Sequence, residues 1–233
     1  ALCSAAVDKG ISGICITDAC DMEEFEEQKY GKRLMYSCFA AHKAQDIFSQ
    51  QLIVTNGVEM CQPLADPDRA VQVIGENRFD FVLGSLHKTR KYGDMMMLNY
   101  AHPALDLQDV FRSYYEELLE VVQWGHFDSL AHLGYPLRYL KPYNRTVDLA
   151  QIDDVFAEIM KSLVAQGKAL ELNTGGLRME IEAFTPSNKY LQMYKDYGGE
   201  MITIGSDAEC CSDIGCDIQA GLELLKSVGF KYF

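Results

Sequence analysis

The sequence predicts an α/β fold built on a parallel sheet, and three observations carry that reading. Short apolar runs recur along the chain, each followed by a longer stretch with helical spacing, the pattern of alternating β and α units. Each run closes on a polar residue, as expected where strand ends share one face of a parallel barrel. At 233 residues and 48% hydrophobic content, the chain is long enough to bury a core without disulfide or metal staples.

Taken in order, residues 1–10 already read as the inside of a helix, and Ala1 is not Met, so the natural N-terminus is expected to lie upstream. Strands are predicted at 13–17 (GICIT), 52–59 (LIVTNGVE), 79–87 (FDFVLGSLH), 127–133 (FDSLAHL), 169–173 (ALELN) and 201–208 (MITIGSDA). Further helices are predicted near 32–50, 66–77, 107–123, 149–166, 187–198 and 215–228. In the helix near 107–123, Val110, Tyr114, Leu118 and Val121 repeat at three- and four-residue steps and define one buried face. The stretch 88–107, with MMMLNYAHP, is long for a connection and apolar for a loop, the profile of a functional lid. No Pro-, Gly- or Ser-rich linker, low-complexity tract or repeat marks a boundary, so residues 1–233 are expected to form a single domain.

Charge and composition exclude several function classes. Thirty-four acidic against 21 basic residues give a formal charge of −13, so the phosphate-neutralising surface that nucleic-acid binding needs is missing overall. No apolar run approaches the roughly 18 residues that would span a bilayer. The 8 Cys are irregularly spaced and no secretory segment opens the chain, which predicts reduced thiols and a cytoplasmic protein.

The predicted strands end on Asp18, Glu59, His87, His132, Asn173 and Asp207. Histidines with shared carboxylates form a donor set suited to zinc, iron or manganese. Each residue also has an ordinary explanation: Asp18 as a turn former or helix cap, His87 as a satisfied core or surface histidine, Glu59 as one half of an ion pair. Their common placement at strand ends favours a metal site. His126 competes with His132, but it precedes its strand whereas His132 lies at a strand end. Cys20, Cys210 and Cys211 are either soft-metal ligands or inert thiols.

The ordered motifs GICITDAC, NGVEM, FDFVLGSLHK, FDSLAHLGYPLRY, ALELNTGGLR and ITIGSDAE resemble the PHP (polymerase and histidinol phosphatase) family across essentially the whole chain. GSLHK, LAHLGYPLRY and NTGGLR in particular resemble its histidinol-phosphatase branch. The resemblance implies a distorted (β/α)7 barrel, here lacking its first strand, whose strand ends hold up to three divalent ions and hydrolyse phosphate monoesters. It also implies that Glu59 bridges two metals, that His87 and His132 complete the second site, and that Asp207 serves the first. Of the third site only Glu209 remains able to ligate, because the family's TDH and SDAH motifs read Thr17-Asp18-Ala19 and Ser206-Asp207-Ala208-Glu209 here. The His-x-His of the first strand is absent.

In the family picture Arg178 and Arg138 are placed to hold phosphate oxygens through paired hydrogen bonds, with Lys88 as a further candidate; each has the alternative of a solvated surface cation. Glu59 and Asp207 are the implied catalytic carboxylates. The expected activity is a metal-dependent histidinol-phosphate phosphatase of histidine synthesis, impaired in this chain by the departures at positions 19 and 209. Two alternatives stay open: a PHP-like binding or regulatory domain without catalysis, and another metal hydrolase on a (β/α) barrel, such as an amidohydrolase.

Overall fold

Segments such as GICIT and ALELN are too short for a stable helix and extend instead into strands. The computed structural model describes residues 1–179 and 181–233. In chain order its elements are α1 (Leu2–Asp8), β1 (Gly13–Asp21), α2 (Tyr30–Phe48), β2 (Ile53–Cys61), α3 (Pro67–Asn77), β3 (Phe81–Ser85), β4 (Lys88–Thr89), β5 (Gly93–Asp94), α4 (Leu107–Trp124), β6 (Ser129–Leu130), α5 (Asp153–Ala165), β7 (Ala169–Asn173), α6 (Asn188–Asp196), β8 (Ile202–Gly205) and α7 (Ile218–Val228).

Six strands form one parallel sheet in the order β1-β2-β3-β6-β7-β8. Each neighbour in sequence is therefore a neighbour in space, as expected of helix-connected parallel strands. The sheet curls into a half-barrel. Among the described residues β1 pairs only with β2 and β8 only with β7, so the half-barrel has two open sheet edges. Both edge strands line a single cleft of about 580 Å³, walled by residues 13–19 of the first and by Thr203, Ile204 and Gly205 of the last.

Local signals set the helix ends. Asp66 accepts a hydrogen bond from the Arg69 N–H, with Pro67 just inside α3, and Asp106 does the same for Asp109 at the start of α4. Gly125 ends α4 in the left-handed conformation, φ +70°, where glycine carries no Cβ penalty. The predicted face of α4 is buried throughout: Val110, Tyr114, Leu118 and Val121 all belong to the main core, together with Phe156, Ile159 and Leu163 of α5.

Several boundaries differ from the sequence expectation, each for a local reason. The strand expected at 127–133 shortens to β6, because its ladder ends at Leu130 and His132 turns out of the extended region with φ +23°. The helix expected at 149–166 opens with a tighter 3-10 turn over Leu149–Ile152, where Asp148 accepts the Ala150 N–H. The stretch 88–107 is pinned rather than loose. It begins as the β4–β5 hairpin, buries Met95 and Tyr100, and has its Tyr100, His102 and Leu105 carbonyls held by Arg145.

The α4 face makes a quantitative expectation. Leu118 is almost fully buried, so Leu118→Ala should lower unfolding free energy by about 2–5 kcal/mol, through lost transfer energy plus the residual cavity. Urea denaturation should show the lower midpoint at unchanged slope; a cost under about 0.5 kcal/mol would contradict this packing.

Candidate metal centre

Parallel strands deliver their C-terminal ends to one rim, and the site is built there. Glu59 is placed by β2, in register with Ala19 of β1 and Leu83 of β3. His87 and His132 each lie two residues beyond a strand, β3 and β6 respectively. The three side chains converge: Glu59 Oε1 is 2.9 Å from His132 Nε2 and 3.3 Å from His87 Nε2, and the two imidazole nitrogens are 3.3 Å apart. Tyr135 walls one side, its ring centroid 4.5 Å from that of His87 and 5.3 Å from that of His132.

Two imidazole nitrogens and a carboxylate oxygen within mutual reach match the donor set of a divalent cation. Tetrahedral coordination with bonds of about 2.05 Å would put ligand atoms roughly 3.3–3.4 Å apart, close to the observed edges. The residues present therefore fit a single ion. Among the described residues no other group of His, Cys, Asp or Glu comes together in this way.

Electrostatics reinforce the arrangement. Burial by itself would raise the Glu59 carboxyl, but hydrogen bonds and positive charge from His132 and His87 outweigh it and hold the group well below the usual carboxylate range. Burial would lower His132, but its hydrogen bond to Glu59 and the surrounding carboxylates push the imidazole above its ordinary value. Glu171, in the middle of β7, is raised by burial, while its Oε2 accepts the His132 N–H at 2.8 Å.

The other predicted residues distribute around this centre. Asp207 lines the same cleft as Glu59, His132 and Glu171 and adopts φ +51°, but its carboxylate turns to Arg138, 3.7 Å away, and is not one of the three convergent donors. Arg178 donates to the Ser206 carbonyl at 2.5 Å and to the Asp207 carbonyl at 3.3 Å, and its buried Nη1 has no partner among the described residues. Arg138 lies over the Tyr135 ring at 4.5 Å. The two guanidiniums thus flank Asp207 beside the histidines. Asp18 and Glu209 also line the cleft.

Lys88 is engaged elsewhere, with Nζ 2.6 Å from Glu24 and 3.1 Å from both Asp21 and Glu23. Asn173 spends Oδ1 on the Gly175 N–H and shapes the turn. His126 packs against Trp124 with the rings tilted, their centroids 5.1 Å apart, and has no part in the cluster. Cys20 is buried, which pushes its thiol up to about 12, whereas Cys210 and Cys211 are exposed; none joins the donor group. Glu171, Gln62 and Tyr135 escaped the sequence reading. An acidic residue inside the apolar run ALELN was the one signal available for Glu171.

Comparison with known proteins places this geometry. A family model described as the PHP domain matches residues 1–175. The chain is 33% identical over 165 residues to a protein of Thermotoga maritima named probable histidinol-phosphatase, a match covering 71% of this chain and 63% of that protein. It is 27% identical over 230 residues to the histidinol-phosphatase of Lactococcus lactis, covering 97% and 83% respectively. The crystal structure of the Lactococcus lactis histidinol phosphate phosphatase, complexed with zinc, L-histidinol and phosphate, shares the fold with a TM-score of 0.72 at 24% identity, covering 99% of this chain and 87% of that one.

The pairing of Glu59 with His132 has a definite pH signature in the ion-free chain. The lowered Glu59 contributes stability above its ordinary value of 4.5 and loses it as pH falls through the depressed value. The raised His132 contributes fully below 6.5 and loses it as pH rises through the elevated value. In excess chelator, the stability difference between the parent chain and Glu59→Gln should therefore peak between these two pH values. Urea midpoints measured from pH 4 to 9 test this, and a difference that keeps growing toward pH 9 would contradict the pairing.

Proposed function

The chain belongs to the PHP domain family, and from that premise we propose that it is a divalent-metal-dependent phosphomonoesterase acting on histidinol phosphate. The observation that carries the reading is the convergence of Glu59, His87 and His132 on one point beside two arginines flanking Asp207. The names of the relatives, and the zinc, histidinol and phosphate bound to the Lactococcus lactis enzyme, support the same substrate class. We take residues 1–233 as one catalytic unit, with zinc, manganese or iron as the ion.

Glu59, His87 and His132 would hold the ion, and Asp207 and Glu209 extend the donor set along the cleft. When bound, a divalent cation there supplies Lewis-acid polarisation of a phosphoryl oxygen and offsets negative charge near the carboxylates. The remaining work falls to the protein. Arg178 and Arg138 hold phosphoryl oxygens with charge-assisted hydrogen bonds and orient phosphorus for in-line attack. Arg178 is suited to this because its Nη2 is anchored on the main chain while its buried Nη1 has no partner among the described residues. Asp207 accepts the proton of the attacking water and returns it to the alcohol oxygen as the P–O bond breaks, giving histidinol and phosphate. Tyr135 packs against both imidazoles and helps to fix their orientation.

No helix among the described residues is long and apolar enough to cross a membrane. The eight cysteines stand unpaired, which supports a reducing, cytoplasmic setting. Ala19 and Glu209 stand where the family motifs carry histidine, which favours turnover below that of a chain with those imidazoles and keeps a binding or regulatory role as the competing reading.

Phosphate release from histidinol phosphate in the presence of zinc or manganese tests the proposal. Chelation should abolish it, and Glu59→Gln should lower kcat/KM by about 10²–10³-fold, the scale of one lost electrostatic contact. Ala19→His with Glu209→His should raise turnover. Ion uptake without hydrolysis of this or other phosphate monoesters would replace the enzyme reading with the regulatory one.

A further inference from the structure

His87 and His132 share a main-chain predicament. Both lie past the end of a strand, so neither amide is held by the sheet ladder, yet their imidazoles must meet Glu59 within a few tenths of an ångström. Each amide is held instead by one buried polar side chain. The His87 N–H donates to Gln62 Oε1 at 2.5 Å, and the His132 N–H donates to Glu171 Oε2 at 2.8 Å. Among the described residues these two N–H groups have no other acceptor.

Gln62 grips the chain on both sides of His87. Its Oε1 also accepts the Lys88 N–H at 3.3 Å, while its Nε2 donates to the Lys88 carbonyl at 2.9 Å, so one amide side chain imitates a neighbouring strand. The residue is buried and takes φ +52°, a conformation L residues hold only when their surroundings enforce it. It follows β2 directly, three residues after Glu59, so one strand end carries both a donor oxygen and the clamp on a second donor.

Glu171 does the corresponding work from β7. It is buried, its Oε2 also accepts from Asn173 Nδ2 at 3.2 Å, and the neighbouring strand leaves room for its carboxylate by placing Gly205 beside it, where a Cβ would collide with Oε1. His132 itself takes φ +23°, and the hydrogen bond from its N–H to Glu171 ties that amide to β7.

We propose that Gln62 and Glu171 are positioning residues that set the spacing of the His87 and His132 imidazoles through their main-chain amides. The inference rests on the reading of Glu59, His87 and His132 as an ion site. A buried amide and a buried carboxylate that only filled space would be replaceable by apolar groups of similar size. Partners that orient metal-ligating side chains are not, and their loss typically weakens metal affinity 10–100-fold.

The test uses Gln62→Leu, Glu171→Leu and Glu171→Gln in the full chain, with three readouts: zinc affinity, the visible absorption of the cobalt(II)-substituted protein, and side-chain 15N–1H spectra of the ion-free histidines. Both leucine variants should bind zinc about 10–100-fold more weakly, shift the cobalt bands and move the His87 or His132 resonances. Glu171→Gln, which keeps an acceptor for the His132 N–H, should stay near the parent. Leucine variants that only lower the melting temperature, with affinity, bands and resonances unchanged, would overturn the proposal. If the parent chain takes up no ion while the leucine variants still move the imidazole resonances, the ion-site reading falls and the positioning role stands; if neither occurs, both fall.

Discussion

The structure turns on how the Glu59 carboxylate is kept charged in a place where water reaches it poorly. An ionised carboxylate at the end of an apolar strand is expensive unless something positive or proton-donating meets it. Two imidazoles do so here, one from each of two other strand ends. That requirement draws the termini of β2, β3 and β6 together and creates the one place among the described residues where histidine and carboxylate ligand atoms converge. A proton shared between Glu59 and His132 can neutralise the cluster, and so can a divalent cation. The two compete for the same lone pairs, which makes ion uptake and protonation two faces of one equilibrium.

A second layer of charge surrounds the first without merging with it. Asp207 sits in the same cleft yet faces Arg138, and Arg178 braces the main chain just before and at that aspartate. The result is a carboxylate–imidazole triad adjoining a guanidinium pair, an arrangement suited to a ligand with anionic oxygens at one end. Lys88, although next to His87 in sequence, is drawn away by Asp21, Glu23 and Glu24. Its ammonium locks the turn after β1 to the turn after β3, so it shapes the rim instead of lining it.

Position in sequence was a good guide where chemistry depends on the strand end itself. Glu59, His87 and His132 could be picked out because each follows an apolar run. The face of α4 was equally legible, since Val110, Tyr114, Leu118 and Val121 follow the helical repeat. Gln62 and Glu171 were not legible in this way. Each acts on the backbone of a residue far along the chain, 25 and 39 positions away, and no periodicity or spacing encodes a side chain that serves another segment's amide. The short length of β6 was also hidden, because the ladder ends at Leu130 where the chain turns at His132, whose amide is bonded to that same distant carboxylate.

What the sequence determined by itself was the alternation of strand and helix, the order of the strands, and the residue types offered at each strand end. Those are local properties, written in hydrophobic period, β-branching and capping residues, and they survive without knowledge of the neighbours. Tertiary structure alone decided which strand-end groups share a point in space, and which cation faces Asp207 and which is spent on the rim. Those outcomes are set by the curl of the sheet and by hydrogen bonds between distant segments. They depend on ångström-scale distances that no one-dimensional pattern specifies.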